Sequence, residues 1–176
     1  MRALVVVESS FGNSRAVAEA VAEGLAEELG SVEVRSVGTV PTELAGIDLL
    51  VVGGPTHAFG MSRDQTRADA VRQGATAETS APGIREWLAG LDPPARLTVA
   101  TFDTRVATVR HLPGSAARGA ARALRRHGCV LLARPESFFV VDTTGPLVDG
   151  ELARAREWGA GLARDAQAGA ARRSPS

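Results

Sequence analysis

Apolar and polar positions along the chain follow two alternating patterns. Short, mostly apolar runs rich in β-branched residues predict buried parallel strands at residues 3–7, 47–52 and 97–102. Residues 31–37 alternate valines with polar residues, which predicts a half-exposed edge strand. Residues 129–133 and 137–141 predict one last strand that is interrupted near Pro135, because proline cannot donate to a strand ladder.

Between the strands, apolar residues recur at the spacing of helices that bury one face. The predicted helices begin near Asn13, Pro82, Pro113 and Asp149. Residues 60–80 show only a helical turn around 68–73, and a connection of this length is typical of a lid or a binding segment. The order of strands and helices predicts right-handed crossovers, with helices on both faces of a mostly parallel sheet. The fold class is therefore α/β.

Length and charge narrow the class of protein. The 176 residues and 44% hydrophobic content predict a single domain over residues 1–168, with a disordered tail at 169–176. Twenty basic and twenty acidic residues give a net charge of zero, so no global field favours nucleic acid or an anionic membrane. We find no membrane span and no secretory signal pattern, and Cys129 is the only cysteine. These features predict a cytoplasmic protein without an internal disulfide or a metal site.

The residues between the first strand and the first helix form a candidate phosphate site. A helix N-terminus presents free N–H groups and the positive end of the helix dipole, about half an elementary charge. Serine hydroxyls can add hydrogen bonds, and Gly12 allows close approach of the backbone or a positive φ. The alternative is that Asn13 or Ser14 only caps the helix. The candidate residues are Ser9, Ser10, Phe11, Gly12, Asn13 and Ser14.

Two further loops are predicted to meet this stretch. In an open parallel sheet, ligands bind beyond the carboxyl ends of the strands, at the point where strand order reverses. Residues 55–60 follow one predicted strand, and residues 102–106 follow another. The convergence of three loops on one crevice favours a ligand site over a simple helix cap.

These motifs resemble those of the flavodoxin family. The sequence Ser-x-Phe-Gly-Asn-Ser at 9–14 is similar to the family's FMN-phosphate loop, and Val-Gly-Gly-Pro-Thr at 52–56 resembles its second FMN loop. The family's closing strand and the start of its last helix are matched at residues 137–140, 145–147 and 150–152. The resemblance covers residues 2 to about 166. It implies a flavodoxin-like three-layer sandwich, a five-stranded parallel sheet in the order 2-1-3-4-5, and FMN as a noncovalent cofactor.

The resemblance also implies a role for each candidate residue. The FMN phosphate would be held by Ser9, Ser10, Gly12, Asn13 and Ser14, with Phe11 contributing its backbone N–H. One side of the isoalloxazine ring would be lined by Pro55, Thr56, His57, Phe59 and Gly60. The other side would be lined by Thr101, Phe102, Asp103, Thr104 and Arg105. Asp103 would accept a hydrogen bond from the N3–H group of the ring.

Charge distinguishes this chain from the electron-carrier flavodoxins, which tend to be strongly acidic. The chain is neutral and places Arg105, together with Arg63 or Arg67, near the predicted ring site. A positive charge there favours the anionic reduced flavin and raises its potential. We therefore predict an FMN-binding protein that acts in electron transfer, or as a small redox protein at moderate potential. Its partner would be a redox protein or a small electron acceptor.

Two alternatives remain open. The chain has no tyrosine, and only His57, Phe59 and Phe102 are predicted to face the ring, so one alternative is a flavodoxin-fold interaction module that has lost FMN. The other is an NAD(P)H-dependent quinone-type reductase, suggested by the long segment at 60–80 and its arginines.

The arginines at 118–126 are predicted to form a solvated helix face.

Overall fold

A parallel β-sheet forms the centre of the computed structural model, which describes residues 1–57, 60–76 and 82–173. Its strands are β1 (Arg2–Val7), β2 (Ser31–Ser36), β3 (Leu49–Pro55), β4 (Thr98–Val106), β5 (Val130–Leu131) and β6 (Glu136–Val140). The helices are α1 (Asn13–Ala26), α2 (Asp64–Arg72), α3 (Ile84–Ala89), α4 (Ala116–Arg126) and α5 (Glu151–Arg173). The strand order is β2-β1-β3-β4-β5, with β6 also paired to β4, and this confirms the predicted 2-1-3-4-5 arrangement.

Helices cover both faces of the sheet. On one face, Val5 packs in a cluster with Val21 of α1 and Leu162 of α5. On the other face, Val6 packs in a cluster with Leu124 of α4. Successive side chains of a strand point to opposite faces, so a strand buried on both sides needs apolar residues at every position. This explains why the central strands are continuous apolar runs.

The last position in the sheet is shared by β5 and β6, as predicted for an interrupted strand. β5 pairs in parallel with Thr98 and Val99 at the start of β4. β6 pairs in parallel with residues 102–106 at the end of β4. Pro135 lies between the two short strands, where its missing N–H group breaks the ladder without leaving a donor unpaired.

β4 continues through residues 103–105, so the loop predicted there is wrong. Asp103 pairs in register with Gly54 of β3 and with Ser137 of β6. Its carboxylate accepts hydrogen bonds from the hydroxyl groups of Thr56 and Ser115. These hydrogen bonds inside the protein help to keep the polar residues in the strand, although Asp103 Oδ1 and Arg105 Nε are buried without a described partner.

Two helices differ from the lengths that the apolar pattern predicts. α2 is a nine-residue helix in place of the single turn predicted at 68–73. Only Arg67 and Ala70 of α2 are buried, so the helix carries no apolar stripe that the sequence could reveal. α5 continues to Arg173, past the predicted domain end at 168, through residues rich in alanine and arginine, which favour helix.

One predicted core position on α5 is wrong. The helical spacing of apolar residues after Asp149 predicts that Leu152, Ala155, Trp158 and Leu162 line the buried side, but the residue surface of Leu152 is 46% exposed. Leu162, predicted on the same side, is buried. In the first turn of α5 the buried position is taken by Glu151, which is 8% exposed, so the apolar spacing alone does not decide burial there.

α1 and α5 approach closely through two glycines. A Cβ atom added to Gly24 of α1 would lie 1.9 Å from the backbone oxygen of Arg156. A Cβ atom added to Gly159 of α5 would lie 2.2 Å from the backbone oxygen of Val21. Backbone-to-backbone contact of this kind tolerates no side chain. It fixes the position of α1 against the sheet and therefore the position of its N-terminus.

We expect Gly159→Ala to destabilise the protein by about 1–3 kcal/mol, because the added methyl group overpacks the contact between the two helices. The effect opposes the higher helix propensity of alanine. Gly161→Ala is the matched control on the same helix, since no atom lies within 4 Å of its added Cβ. It should stabilise by up to about 1 kcal/mol. Urea unfolding measures both values, and equal effects of the two substitutions would contradict the close-packing account.

Candidate functional site

A crevice of about 90 Å³ opens at the carboxyl edge of the sheet, between the first turn of α1 and the ends of β3, β4 and β6. Its walls come from segments far apart in sequence, as expected for an open parallel sheet. The lining residues are Ser9, Ser10, Phe11, Asn13, Ser14, Pro55, Thr56, His57, Thr104, Arg105, Val106, Val140 and Thr143. Most of the predicted site residues are therefore brought together.

The N-terminus of α1 forms one end of the crevice. Gly12 caps the helix with φ of 89°, a left-handed conformation that favours glycine. The Ser9 hydroxyl oxygen accepts a hydrogen bond from the Arg15 N–H at 3.2 Å. The backbone N–H groups of Asn13 and Ser14 precede the first intrahelical hydrogen bond and donate to no other described residue. The helix thus presents unsatisfied donors and its positive dipole end to the crevice.

Ser10 supplies a further polar group. Its hydroxyl oxygen is buried and makes no hydrogen bond within the part of the chain that the structure describes. Its carbonyl accepts a hydrogen bond from the Thr76 N–H at 3.1 Å, which ties the loop to the segment after α2. A buried hydroxyl without a partner is costly, and a ligand in the crevice would satisfy it.

Two predicted phosphate ligands use their side chains for internal hydrogen bonds. The Asn13 amide nitrogen donates to the Thr144 carbonyl at 3.1 Å. The Ser14 hydroxyl is 2.7 Å from the Thr104 hydroxyl, in a buried pair. These side chains fix the walls of the crevice, and the groups that Asn13 and Ser14 leave for a ligand are their backbone N–H groups.

Arg105 places a positive charge in the same crevice. It is 9% exposed, and one guanidinium nitrogen donates to the carbonyl groups of Val109 and Leu112, each at 3.1 Å. Its Nε is buried without a described hydrogen-bond partner, and no described carboxylate pairs with it. A buried charge needs a partner, and the crevice lining contains no acidic residue. The donor set therefore fits an anionic group.

A second pocket of about 230 Å³ continues the crevice toward α2. It shares Phe11, Thr56, His57 and Thr143 with the crevice. The remaining lining residues are Thr66, Asp69, Ala70 and Gln73. This pocket is larger than the crevice, so it offers room for a flat organic group attached to the anion.

Five predicted residues lie elsewhere or are not described. Thr101, Phe102 and Asp103 are buried and line neither pocket. The Phe102 ring lies behind β3, where a Cβ added to Gly53 would be 2.0 Å from it. Gly60 lies just outside, paired to His57 by two backbone hydrogen bonds of 2.8 and 2.9 Å. Phe59 lies outside the described residues.

Asp103 does not line the crevice but holds one of its wall residues, Thr56, in place. Besides the hydroxyl groups of Thr56 and Ser115, its carboxylate accepts the Ala117 N–H at 3.1 Å. Thr56 in turn accepts the Ala116 N–H at 2.9 Å. The network joins the end of β3, β4 and the start of α4. Asp103 is a residue that positions the crevice wall, and its predicted contact with a ring is not supported by this placement.

Two lining residues, Val140 and Thr143, were not predicted, whereas Val106 ends the converging loop predicted at 102–106. Val106 ends β4, and Val140 ends β6, which is followed by Thr143. The rule that carboxyl ends of parallel strands meet at one edge applies to the last strand as well as to the first three. That rule, extended to residues 140–143, would have found both.

Two buried charged residues next to the crevice make their contacts away from it. Glu8 follows β1, and its Oε2 accepts the Ile84 N–H at the start of α3 at 2.8 Å, so it does not line the crevice. Arg67 is buried and pairs with Glu86 at 3.1 Å. It lines neither pocket, so its predicted place near the ring is not observed.

Comparison with solved structures identifies the fold. A flavodoxin from the domain Archaea is similar at a TM-score of 0.65 and 21% identity, over 95% of this chain and 99% of that chain. Flavodoxin 2 from Bacillus cereus gives 0.66 and 16%, over 93% and 99%. A WrbA-like flavodoxin from Agrobacterium tumefaciens gives 0.59 and 19%, over 96% and 99%. The chain has a flavodoxin-like fold.

The flavodoxin-like fold that the sequence motifs predicted is thus confirmed. The similarity to these proteins is clear in structure and low in sequence. No family model matches the chain, and no curated protein matches it. Among the described residues, no helix combines the length and apolar character that crossing a bilayer requires. These comparisons establish the fold, and the function of the site has to be inferred from its residues.

His57 titrates in an environment that disfavours its charged form. Burial lowers its pKa below the ordinary value of 6.5. The negative charge of Glu8 opposes this shift, and the positive charge of Arg67 reinforces it. His57 therefore faces the crevice and the second pocket as a neutral imidazole at neutral pH.

This lowered pKa makes stability depend on pH. Between the lowered pKa of folded His57 and the unfolded value of 6.5, the unfolded chain binds more protons at His57 than the folded chain. The free energy of unfolding should therefore fall as pH drops from 6.5 through the folded pKa. Above this range, His57 should contribute no slope. NMR titration of the imidazole signal and unfolding at a series of pH values measure the two effects. His57→Gln should remove this part of the slope, and a midpoint at or above 6.5 would contradict the account.

Proposed function

We propose that the protein binds FMN and acts as a flavodoxin-like redox protein. The observation that carries the proposal is the anion site, in which the N-terminus of α1, the unpartnered Ser10 hydroxyl and the buried Arg105 face one crevice. A phosphate monoester satisfies all three groups. The names of the similar structures, flavodoxins and a WrbA-like flavodoxin, agree with a flavin as the ligand.

The pocket beyond the anion site would hold the ring. Phe11 and His57 supply its flat surfaces, and Thr56 and Thr66 supply polar groups at its edge. Bound there, the isoalloxazine ring would supply reversible one- and two-electron chemistry. The chain's part is to hold the phosphate, to orient the ring and to set the charge around it. The neutral His57 adds no positive charge, so Arg105 is the principal cation of the crevice lining.

The charge of the crevice favours a moderate potential. Arg105 is buried there, and no acidic residue lines it. Asp69, on α2, is the one carboxylate that lines the second pocket. A positive charge stabilises a reduced, more negative ring and raises its potential. Such a protein suits electron transfer to a redox partner protein or to a small acceptor.

Ser10→Ala should weaken FMN binding by about tenfold or more, because a hydrogen bond to a charged phosphate is worth about 1.5–3 kcal/mol. Riboflavin, which lacks the phosphate, should lose almost no affinity. Quenching of free flavin fluorescence during titration measures both constants.

Thr101→Val is the matched control for this substitution. Thr101 also has a buried hydroxyl without a described partner, but it lies outside the crevice. Its replacement should leave FMN affinity unchanged. Equal loss of FMN and riboflavin in Ser10→Ala would show that the phosphate is misplaced. Failure of the unsubstituted protein to bind any flavin would favour an interaction module.

Arg105→Gln should lower the midpoint potential of the bound flavin, because it removes a positive charge that favours the reduced ring. Arg105→Lys keeps the charge while it alters the hydrogen bonds to the carbonyls of Val109 and Leu112. The midpoint potential of flavin bound to Arg105→Lys should therefore stay close to that of the unsubstituted protein. Spectroelectrochemical titration at saturating FMN measures both variants. An unchanged or raised potential in Arg105→Gln would remove the electrostatic argument.

A further inference from the structure

A second cleft lies beside the crevice, on the side of α4. It has a volume of about 520 Å³, within the range of small-molecule sites. Its lining includes His57 and five arginines, Arg63, Arg85, Arg118, Arg122 and Arg126. We call this feature the arginine cleft. His57 lines the crevice, the second pocket and the arginine cleft, so the three spaces adjoin.

The arginines converge from three segments. Arg118, Arg122 and Arg126 follow one another at four-residue intervals on α4, so they lie along one face, about 6 Å apart along the helix axis. Arg63 precedes α2, and Arg85 lies on α3. The sequence predicted only a solvated face at 118–126, because it could not show that two further arginines face that stripe across a concave space.

Most of these charges have no counter-ion among the described residues. No acidic residue lines the cleft. Arg63, Arg118, Arg122 and Arg126 form no ion pair with any residue in the described ranges. The chain is neutral overall, so this excess of positive charge is local. Since every basic residue of the chain is arginine, the placement of these residues carries the argument, and the choice of arginine does not.

One of the five arginines is already held in place. Arg85 donates from Nη2 to the Met61 carbonyl at 2.8 Å and from Nε to the Ser62 carbonyl at 3.1 Å. These bonds fix the guanidinium at the wall of the cleft and lower the entropy lost when it binds a ligand. Like charges brought together in this way repel one another, and a bound polyanion relieves the repulsion.

We propose that the arginine cleft binds a small molecule that carries a diphosphate, of the nucleoside diphosphate class. Guanidinium groups bind phosphate oxygens in a bidentate manner, and a stripe of arginines matches two linked phosphates. A concave site of this volume fits such a molecule better than the broad surface of an acidic protein. The site is distinct from the proposed FMN site and shares the wall at His57 with it. A role for its ligand as a phosphorylated co-substrate of the flavin rests on the proposed function.

Isothermal titration with ADP, inorganic pyrophosphate and adenosine tests the proposal on the full chain. ADP and pyrophosphate should bind, adenosine should not, and both affinities should fall as salt is raised. The double substitution Arg118→Gln, Arg122→Gln should weaken ADP by about tenfold per arginine, the effect of losing a charged hydrogen bond. Both residues are exposed on α4, so the variant should fold. Arg125→Gln, on the same helix but outside the cleft, is the control and should bind ADP unchanged.

Other outcomes would overturn the proposal. ADP binding that is insensitive to the double substitution but lost in Ser10→Ala would place the phosphates in the crevice instead. Binding of poly-glutamate but not of ADP, lost in the double variant, would assign the cleft to an acidic protein. Absence of binding of every probe would leave a solvated arginine face. FMN titration of the double variant is read separately, so failure here and failure of the flavin proposal are distinguishable.

Discussion

The N-terminus of α1 imposes the constraint on which the site depends. β1 lies in the interior of the sheet, between β2 and β3, and the chain turns directly from its carboxyl end into α1. The unsatisfied N–H groups of the first turn therefore point into the place where the strand ends converge. The close contact with α5 through Gly24 and Gly159 holds the helix in that position. The positive end of α1 is thus built into the architecture of the protein.

The polar residues around this end divide into two groups. In the first group, the side chains of Asn13, Ser14 and Thr56 form hydrogen bonds with the Thr144 carbonyl, the Thr104 hydroxyl and the Asp103 carboxylate, and so set the shape of the crevice. Ser10 and Arg105 keep polar atoms that are buried without a described partner. Because such atoms cost free energy in the protein alone and both residues line the crevice, a ligand bound there would satisfy them.

The sequence predicted the fold, and it predicted that residues 9–14 lie at the start of α1 beside the crevice, for physical reasons. Buried parallel strands need apolar residues at every position, and a strand followed by a glycine-containing polar turn and a helix marks the anion site. The ring end was harder. Residues 103–105 look like a loop in sequence, and only the partners supplied by β6, Thr56 and Ser115 keep them in β4. The side chain of Asp103 therefore binds internal partners, and the apolar pattern of the sequence does not indicate this. The arginine cleft could not be predicted from the sequence for a similar reason, because its arginines come from segments that only the fold brings together.

A crystal structure of the protein with FMN tests the central claim most directly. The account predicts the phosphate at the N-terminus of α1, within hydrogen-bond distance of the Ser10 hydroxyl and the N–H groups of Asn13 and Ser14, with the ring toward α2. A phosphate bound elsewhere, for example among the arginines of α4, would contradict it, as would the absence of bound flavin at saturating concentration.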